Sequence, residues 1–107
     1  MARYLVLWHM NPVAPWPTDP SKYLEIQERM WAGIDALTKK GEIEDFSLFL
    51  DGISGFAIGK GESADVFRDV CMFQPYILCE VKEILSYEKS KEISRALLKA
   101  QIVAAKK

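Results

Sequence analysis

Hydrophobic positions change their spacing several times along this chain. Residues 4–10 form a run of branched and aromatic side chains that stops at Asn11-Pro12, which predicts a buried strand. Four of the five prolines fall within residues 12–20, and their fixed φ and missing N–H exclude a helix interior or a central strand there. After Asp19, a natural N-cap, the spacing becomes helical. The apolar stripe of this predicted helix comprises Tyr23, Ile26, Met30, Ile34 and Leu37, and Gly41 ends the helix.

The second half of the chain begins with two runs of period two. Residues 44–50 and 56–60 alternate around a short turn that starts at Asp51-Gly52, which predicts a hairpin. A second helix is predicted from Ser63, then a strand over residues 76–84, then a C-terminal helix from Ser86. The apolar face predicted for the second helix comprises Val66, Phe67, Val70 and Phe73, and that of the C-terminal helix Ile93, Leu97, Ala100 and Ala104.

This order of elements predicts a single α+β domain over residues 1–107 with ferredoxin-like βαββαβ topology. Right-handed crossovers give a four-stranded antiparallel sheet of order 4-1-3-2 with both helices on one face, and residues 86–107 form an added C-terminal helix. The other face of the sheet would be an exposed apolar patch. We therefore expect a second copy of the chain to cover it, with the extra helix clasping the partner. The patch comprises Leu5, Leu7, Phe49 and Leu78.

Composition narrows the classes of partner. The net charge is −1 and no basic block is present, so we expect no binding to nucleic acid. The first apolar run is too short for a signal peptide or a membrane span, which predicts a cytoplasmic protein without membrane contact. Cys71 and Cys79 match no zinc spacing and His9 is the only histidine, so we expect two buried cysteines, no metal and no cofactor.

Three segments of the chain resemble the dimeric α+β barrel superfamily, and in particular its small muconolactone isomerase-like members. They are residues 4–8, residues 54–59 with the sequence Ser-Gly-Phe-Ala-Ile-Gly, and residues 78–85, in which Glu83 stands where those families have proline. The resemblance implies a homodimer with two sheets face to face, and in some members a larger ring. Members include isomerases, cofactor-free monooxygenases and haem-handling enzymes, so the resemblance does not select one reaction.

The candidate catalytic pair is His9 and Glu80. Strand alternation puts both on the open face, and antiparallel pairing of the first and fourth strands would bring them near each other. A histidine oriented by a carboxylate is a general base suited to moving a proton on a small conjugated acid. The alternative is a histidine at a strand end that makes an ordinary hydrogen bond.

The candidate ligand-binding residues are Leu7, Trp16, Phe49 and Asp51. Trp16 lies between two prolines, so it is either a rigid lid over a pocket or, as we favour, an anchor in the dimer interface. The small residues Ala57 and Gly59 leave room on one side of their strand, for a ligand or for close packing. Trp31 and Leu24 are expected to pack against the C-terminal helix.

Two functions follow from these features. The first is a homodimeric barrel that binds, isomerises or oxidises a small apolar organic acid. The second is a non-enzymatic dimerisation or assembly module without a ligand. A cavity with convergent polar groups would favour the first function, and a fully packed interior would favour the second.

Overall fold

A computed structural model describes residues 2–106 of the chain. Its elements in order are β1 (Arg3–Met10), α1 (Pro20–Lys39), β2 (Ile43–Leu48), β3 (Ser54–Lys60), α2 (Ser63–Cys71), β4 (Ile77–Ile84) and α3 (Tyr87–Ala105). The strands form one antiparallel sheet of order β2-β3-β1-β4. The predicted α+β fold, strand order and C-terminal helix are therefore confirmed.

The register of the sheet gives its two faces different roles. Val6 lies opposite Ala57 on β3 and Val81 on β4, and Leu7 lies opposite Phe56 and Glu80. Side chains alternate between faces along a strand. The face that carries Tyr4 and Trp8, which we call the inner face, is covered by α1 and α2. The face that carries Leu7 and its neighbours is the open face.

Helix α1 follows its sequence signals closely. The Asp19 carboxylate accepts a hydrogen bond from the Ser21 amide at 3.1 Å, with Pro20 in the first helical position. Ile26 and Leu37 are buried against the sheet. After α1, Gly41 takes a φ of +82°, a left-handed conformation that glycine adopts without strain. This turn redirects the chain so that β2 begins beneath the helices.

Helix α3 does not pack against α1. None of its residues is buried, and the molecule measures 73 × 27 × 22 Å. The expectation that Trp31 and Leu24 contact the C-terminal helix is wrong, since both are about half exposed and Trp31 lies at a cavity instead. Among residues 2–106, no helix combines the length and apolar character needed to cross a membrane.

Two further expectations about burial are wrong. Phe67 of α2 was expected on the apolar face, but its side chain is 59% exposed. Cys71 was expected to be buried, but it lies exposed at the end of α2. Helix α2 has nine residues, and Val66 is the one that is buried among them.

Candidate functional site

A cavity of about 140 Å³ lies between the inner face of the sheet and the two helices. Its walls are mainly apolar, and three polar side chains, Gln27, Glu42 and Asp69, also line it. Trp31 and Leu48 line it too and are each more than half exposed, so the cavity reaches the surface. An apolar cavity with a few polar groups is the usual form of a small-molecule site.

The floor of the cavity is shaped by the small residues of β3. Ala57 and Gly59 line it, and Gly55 continues the same side of the strand. The indole of Trp8 lies flat on the ring of Phe46, with 5.2 Å between centroids and 9° between planes. A β-carbon at Gly55 would stand 2.6 Å from Trp8 Cζ2, so only glycine fits beneath this stack. Small residues thus face the helices rather than a partner's sheet.

Two carboxyl groups meet at the wall of the cavity. Glu42 comes from the connection between α1 and β2, where its carbonyl oxygen accepts a hydrogen bond from the Lys60 amide at 3.0 Å. Asp69 comes from α2. The guanidinium of Arg68 lies beside both, with Nη2 3.6 Å from Glu42 Oε1 and 3.5 Å from Asp69 Oδ1. Arg68 Nη1 is also 3.2 Å from Asp65 Oδ1.

The environment of this pair disfavours two negative charges. Burial raises the pKa of the Asp69 carboxyl, and the neighbouring Glu42 raises this pKa further through a hydrogen bond and like charge. Arg68 lowers the pKa of Asp69 but does not reverse the shift. A carboxyl that holds its proton more strongly than usual, next to one that accepts it, is a common arrangement for proton transfer.

Two buried polar atoms at the cavity walls lack a hydrogen-bond partner among the described residues. They are Trp8 Nε1 and Glu42 Oε2. Buried polar groups in folded proteins are nearly always paired, because an unpaired one forfeits its hydration without compensation. Trp8 Nε1 therefore lacks an acceptor, whereas the Glu42 carboxyl has Asp69 as a hydrogen-bond partner once one of the two carries a proton.

His9 and Glu80 lie on the open face, on the opposite side of the sheet from the cavity. His9 pairs in register with Leu78, and Leu7 pairs with Glu80, which makes His9 and Glu80 diagonal neighbours. Both are exposed, and Glu80 forms an ion pair with Lys82 at 3.4 Å. Their catalytic role stays a prediction, and they contribute nothing to the cavity of their own chain.

The predicted ligand-binding residues are also separate from the cavity. Leu7 lies at the centre of the open face, and the ring of Phe49 lies 6.2 Å from that of Phe56 on the same face. Asp51 closes the hairpin, because its carboxylate accepts hydrogen bonds from the amides of Ile53 at 2.9 Å and Ser54 at 3.0 Å. The hydroxyl of Ser54 donates to the same carboxylate at 2.7 Å, and these bonds lower the pKa of Asp51.

Trp16 is held within its own chain. Its ring packs between those of Tyr23 and Tyr76, at centroid distances of 5.5 and 4.8 Å, and its Nε1 donates to the Asn11 carbonyl at 2.6 Å. These contacts fix the proline-rich loop against α1 and the start of β4. The structure therefore gives Trp16 a packing role in the monomer, whereas its part in a ligand site or an interface stays a prediction.

Cys79 is a neutral thiol in the cavity wall. It lies on the inner face of β4, and burial raises its pKa from 9.0 to about 11. It is therefore a weak nucleophile at neutral pH. Within residues 2–106, no three histidine, cysteine, aspartate or glutamate side chains come together in a way that could hold a metal ion.

Asp69 and Glu42 were not predicted as site residues from the sequence. A signal for Asp69 exists, because it follows Val66 by three positions and precedes Phe73 by four, which places it on the inner stripe of α2. Glu42 carried no such signal. Its position depends on the left-handed turn at Gly41 and on the bulge between Ile43 and Asp45 where β2 joins β3.

Comparisons with known proteins add no family to this geometry. No protein-family model matches the chain, and no curated protein is significantly similar to it. The function must therefore be argued from the site itself.

Proposed function

We propose that this protein binds a small, mostly apolar organic molecule in the cavity between its sheet and helices. The observation that carries the proposal is the apolar cavity of about 140 Å³ with polar groups at its wall. Engineered apolar cavities of about 150 Å³ bind benzene, so this volume suits a ligand of one six-membered ring. A packed interior, the expectation for a purely structural module, would leave no such space.

The same cavity supports a role in proton transfer. The isomerase-like chemistry implied by the resemblance needs a group that takes a proton from the ligand and returns it. Asp69 and Glu42 are the two carboxyls in the cavity wall, and the raised pKa of Asp69 brings its proton closer to the range used by general acids. If the protein is an enzyme, this pair is a better candidate than His9 for a ligand in the cavity.

The binding proposal is tested with toluene as a one-ring probe. We expect saturable binding, followed by changes in the NMR spectrum of the protein. The substitution Ala57→Val adds two methyl groups to the cavity floor and should raise the dissociation constant by about tenfold or more, a change of about 1.4 kcal/mol. Ser47→Val is the matched control, because it adds comparable bulk on the open face opposite Phe56.

Two results would contradict this proposal. One is the absence of saturable toluene binding by the wild-type protein up to the solubility of toluene. The other is an equal loss of binding in Ala57→Val and Ser47→Val, which would place the probe elsewhere. Thermal unfolding of each variant, measured in parallel, separates a blocked cavity from an unfolded chain.

A second function, assembly through a homodimer, is supported by the open face. Its centre is apolar and its margins carry charged groups, such as the Arg3–Glu44 pair at 2.8 Å and the Lys82–Glu80 pair. An apolar centre with a polar rim is typical of protein interfaces. Helix α3 also exposes apolar side chains that a partner could cover, and they comprise Ile93, Leu97, Leu98, Ile102 and Val103.

Sedimentation analysis tests the dimer directly. We expect the wild-type chain to sediment as a dimer or a larger ring, and Leu7→Lys, which places a charge at the centre of the open face, to sediment as a monomer. Val13→Lys should not change the assembly, because Val13 is 87% exposed in the loop after β1. A wild-type chain that is monomeric at every concentration would refute the dimer.

A further inference from the structure

Helix α3 is poorly supported by its own chain. It begins three residues after β4 ends, and none of its 19 residues is buried. The molecule measures 73 Å in its longest dimension, against 27 and 22 Å in the others, because α3 extends away from the sheet. An isolated helix of this length is marginal in water. A surface outside the chain that packs against α3 would therefore stabilise it.

Charge is divided unevenly between α3 and the rest of the chain. Residues 87–107 carry six basic and two acidic side chains, a net charge of +4, whereas residues 1–86 carry eight basic and 13 acidic ones, a net charge of −5. The α3 of one copy is therefore attracted to the body of another copy. An anionic membrane surface would also attract α3, but it would repel the body that is attached to it.

One side of α3 combines positive charge with exposed apolar surface. Four residues follow one another at intervals of four, three and four positions, which keeps them on the same side of the helix. We call them the basic stripe, and they comprise Lys91, Arg95, Leu98 and Ile102. Leu98 and Ile102 are each more than half exposed, and Arg95 is exposed as well.

Helix α1 carries a stripe of the opposite charge at the same intervals. We call it the acidic stripe, and it comprises Leu24, Glu28, Trp31 and Asp35. All four residues are exposed, and they lie on the side of α1 that is turned away from the buried Ile26 and Leu37. The acidic stripe therefore offers a second exposed apolar surface, bordered by carboxylates.

The two stripes match in length and complement each other in charge. Each spans 12 residues, roughly 16 Å along a helix axis. Within residues 2–106, no ion pair engages Glu28, Asp35 or Arg95. Packing the stripes together would cover the apolar side chains of both and bring carboxylates near the guanidinium. Since α3 does not pack against α1 of its own chain, this contact has to form between copies.

From the unsupported helix, the opposite charges and the matching stripes, we propose that the basic stripe of α3 packs on the acidic stripe of α1 in a second copy. In a two-fold dimer the second copy returns the same contact, so each dimer contains two of them. This inference rests on the proposed homodimer and identifies the surface that α3 covers in it. The open face supplies the centre of the dimer, and the exchanged helices add to its affinity.

Two charge substitutions test the exchange by complementation. Leu24→Lys damages the acidic stripe and Leu98→Glu damages the basic stripe, and each should raise the dissociation constant of its homodimer by about tenfold or more, as measured by sedimentation. In a mixed dimer one of the two contacts is intact, and the other joins introduced charges of opposite sign. Native mass spectrometry of an equal mixture should therefore show several times more mixed dimer than both homodimers together.

The matched controls place charges outside the stripes. Val103→Glu lies on α3, five residues from Leu98 and therefore about 140° around the helix from it, and Val13→Lys lies in the loop before α1. Both side chains are exposed in the wild-type chain. An equal mixture of these two variants should contain as much mixed dimer as both homodimers together, which is the statistical distribution. Thermal unfolding of all four variants reports that each is folded.

Amide hydrogen exchange separates this inference from the dimer on which it rests. We expect the α3 amides to exchange at least about tenfold more slowly in the wild-type dimer than in Leu7→Lys, the variant designed to be monomeric. If the wild-type protein is a dimer but its α3 amides exchange as fast as those of Leu7→Lys, the helix contact is refuted and the open-face dimer stands. If the wild-type protein is monomeric at every concentration, both proposals fail.

Two further results would overturn the assignment of the partner surface. If Leu98→Glu weakens the dimer but Leu24→Lys does not, and the mixture stays statistical, α3 packs on a surface other than α1. If the α3 amides are protected only when vesicles of anionic lipid are added, and never by a higher protein concentration, the partner is a membrane surface and not a second copy.

Discussion

The two faces of the sheet are built from the same alternating strands but have different properties. On the inner face, Trp8 and Ala57 are buried, glycine and alanine line the floor, and two carboxyls lie against an apolar cavity. On the open face, the side chains are larger and partly exposed, and charged residues such as Glu80 and Lys82 pair with each other in solvent. The inner face therefore contains the features of a binding site, and the open face those of an interface.

This difference shows what a strand pattern can and cannot locate. Period two divides residues into two sets but does not say which set lies under the helices. Both faces are apolar at their centres, so hydrophobicity alone does not distinguish them. The small residues of β3 distinguish the two faces. Space for a cavity remains between sheet and helices where the strand carries no bulky side chains.

The largest expected effect comes from changing one methyl group on each face of β3, which compares how tightly the inner and open faces are packed. Gly55→Ala should lower the free energy of unfolding by about 3 kcal/mol, because the new β-carbon would stand 2.6 Å from Trp8 Cζ2 and 2.9 Å from Leu48 Cα. Ile58→Val, which removes one methyl group from the open face of the same strand, should cost about 1 kcal/mol. Urea unfolding measures both. Equal losses would mean that the inner face is no more tightly packed than the open face.

Cysteine reactivity compares the cavity wall with the outer surface. The pKa of Cys79 is raised to about 11 from 9.0, so its thiolate at a given pH is about 100-fold scarcer than that of an ordinary thiol. Iodoacetamide should therefore alkylate the exposed Cys71 at least about 100-fold faster than Cys79, as measured by mass spectrometry of peptides. In denaturant the two rates should converge. Fast labelling of Cys79 in the folded protein would contradict its burial in the wall.

The smallest expected effect concerns stability against pH, which should change in opposite directions when Asp69 and Asp51 are replaced. The pKa of Asp69 is raised in the folded state, so ionisation of this carboxyl lowers the stability of the fold as pH rises through the folded pKa. Asp69→Asn should therefore be more stable than wild type at neutral pH but not in acid. The pKa of Asp51 is lowered by its hydrogen bonds, so its contribution is present above 3.8 and is lost as pH falls through the folded pKa. Asp51→Asn should accordingly be less stable than wild type at neutral pH only.

The stability of each variant relative to wild type is measured by thermal unfolding at several pH values between acid and neutral, which gives one slope against pH for each aspartate. We expect the Asp69 difference from wild type to remain below about 1 kcal/mol, because Arg68 already compensates part of the repulsion. Glu42 and Arg68 are the charged groups that face Asp69, so Asp69→Asn should be compared with Glu42→Gln. Slopes of the same sign for Asp69 and Asp51 would show that the environment of one of them is misassigned.

Much of the fold could be predicted because its signals are local. The N-cap at Asp19, the stop at Gly41 and the helical stripe of α1 each depend on residues close in sequence, and all appear in the structure. The strand order followed from chirality rules that hold across proteins. Burial near the ends of α2 was predicted less well, because exposure at Phe67 and Cys71 depends on how far that short helix extends over the sheet.

The candidate site could not be predicted in the same way. The sequence favours His9 because histidine is a common general base, yet the cavity lies on the other side of β1. Glu42 and Asp69 are 27 positions apart and meet only because a turn and a helix converge above β3. The sequence places Asp69 on the inner stripe of α2 but does not indicate that it meets Glu42, because that contact arises from tertiary structure.

The exposure of α3 has a consequence for amide hydrogen exchange. Isolated helices of this length are marginal in water, and α3 has 19 residues of which none is buried. In the free chain its amides should therefore exchange many times faster than those of β1, which lies between two neighbouring strands. Slow exchange along the Leu97–Leu98 segment would then report that another surface covers this helix, and its dependence on protein concentration would distinguish a second copy from a different partner.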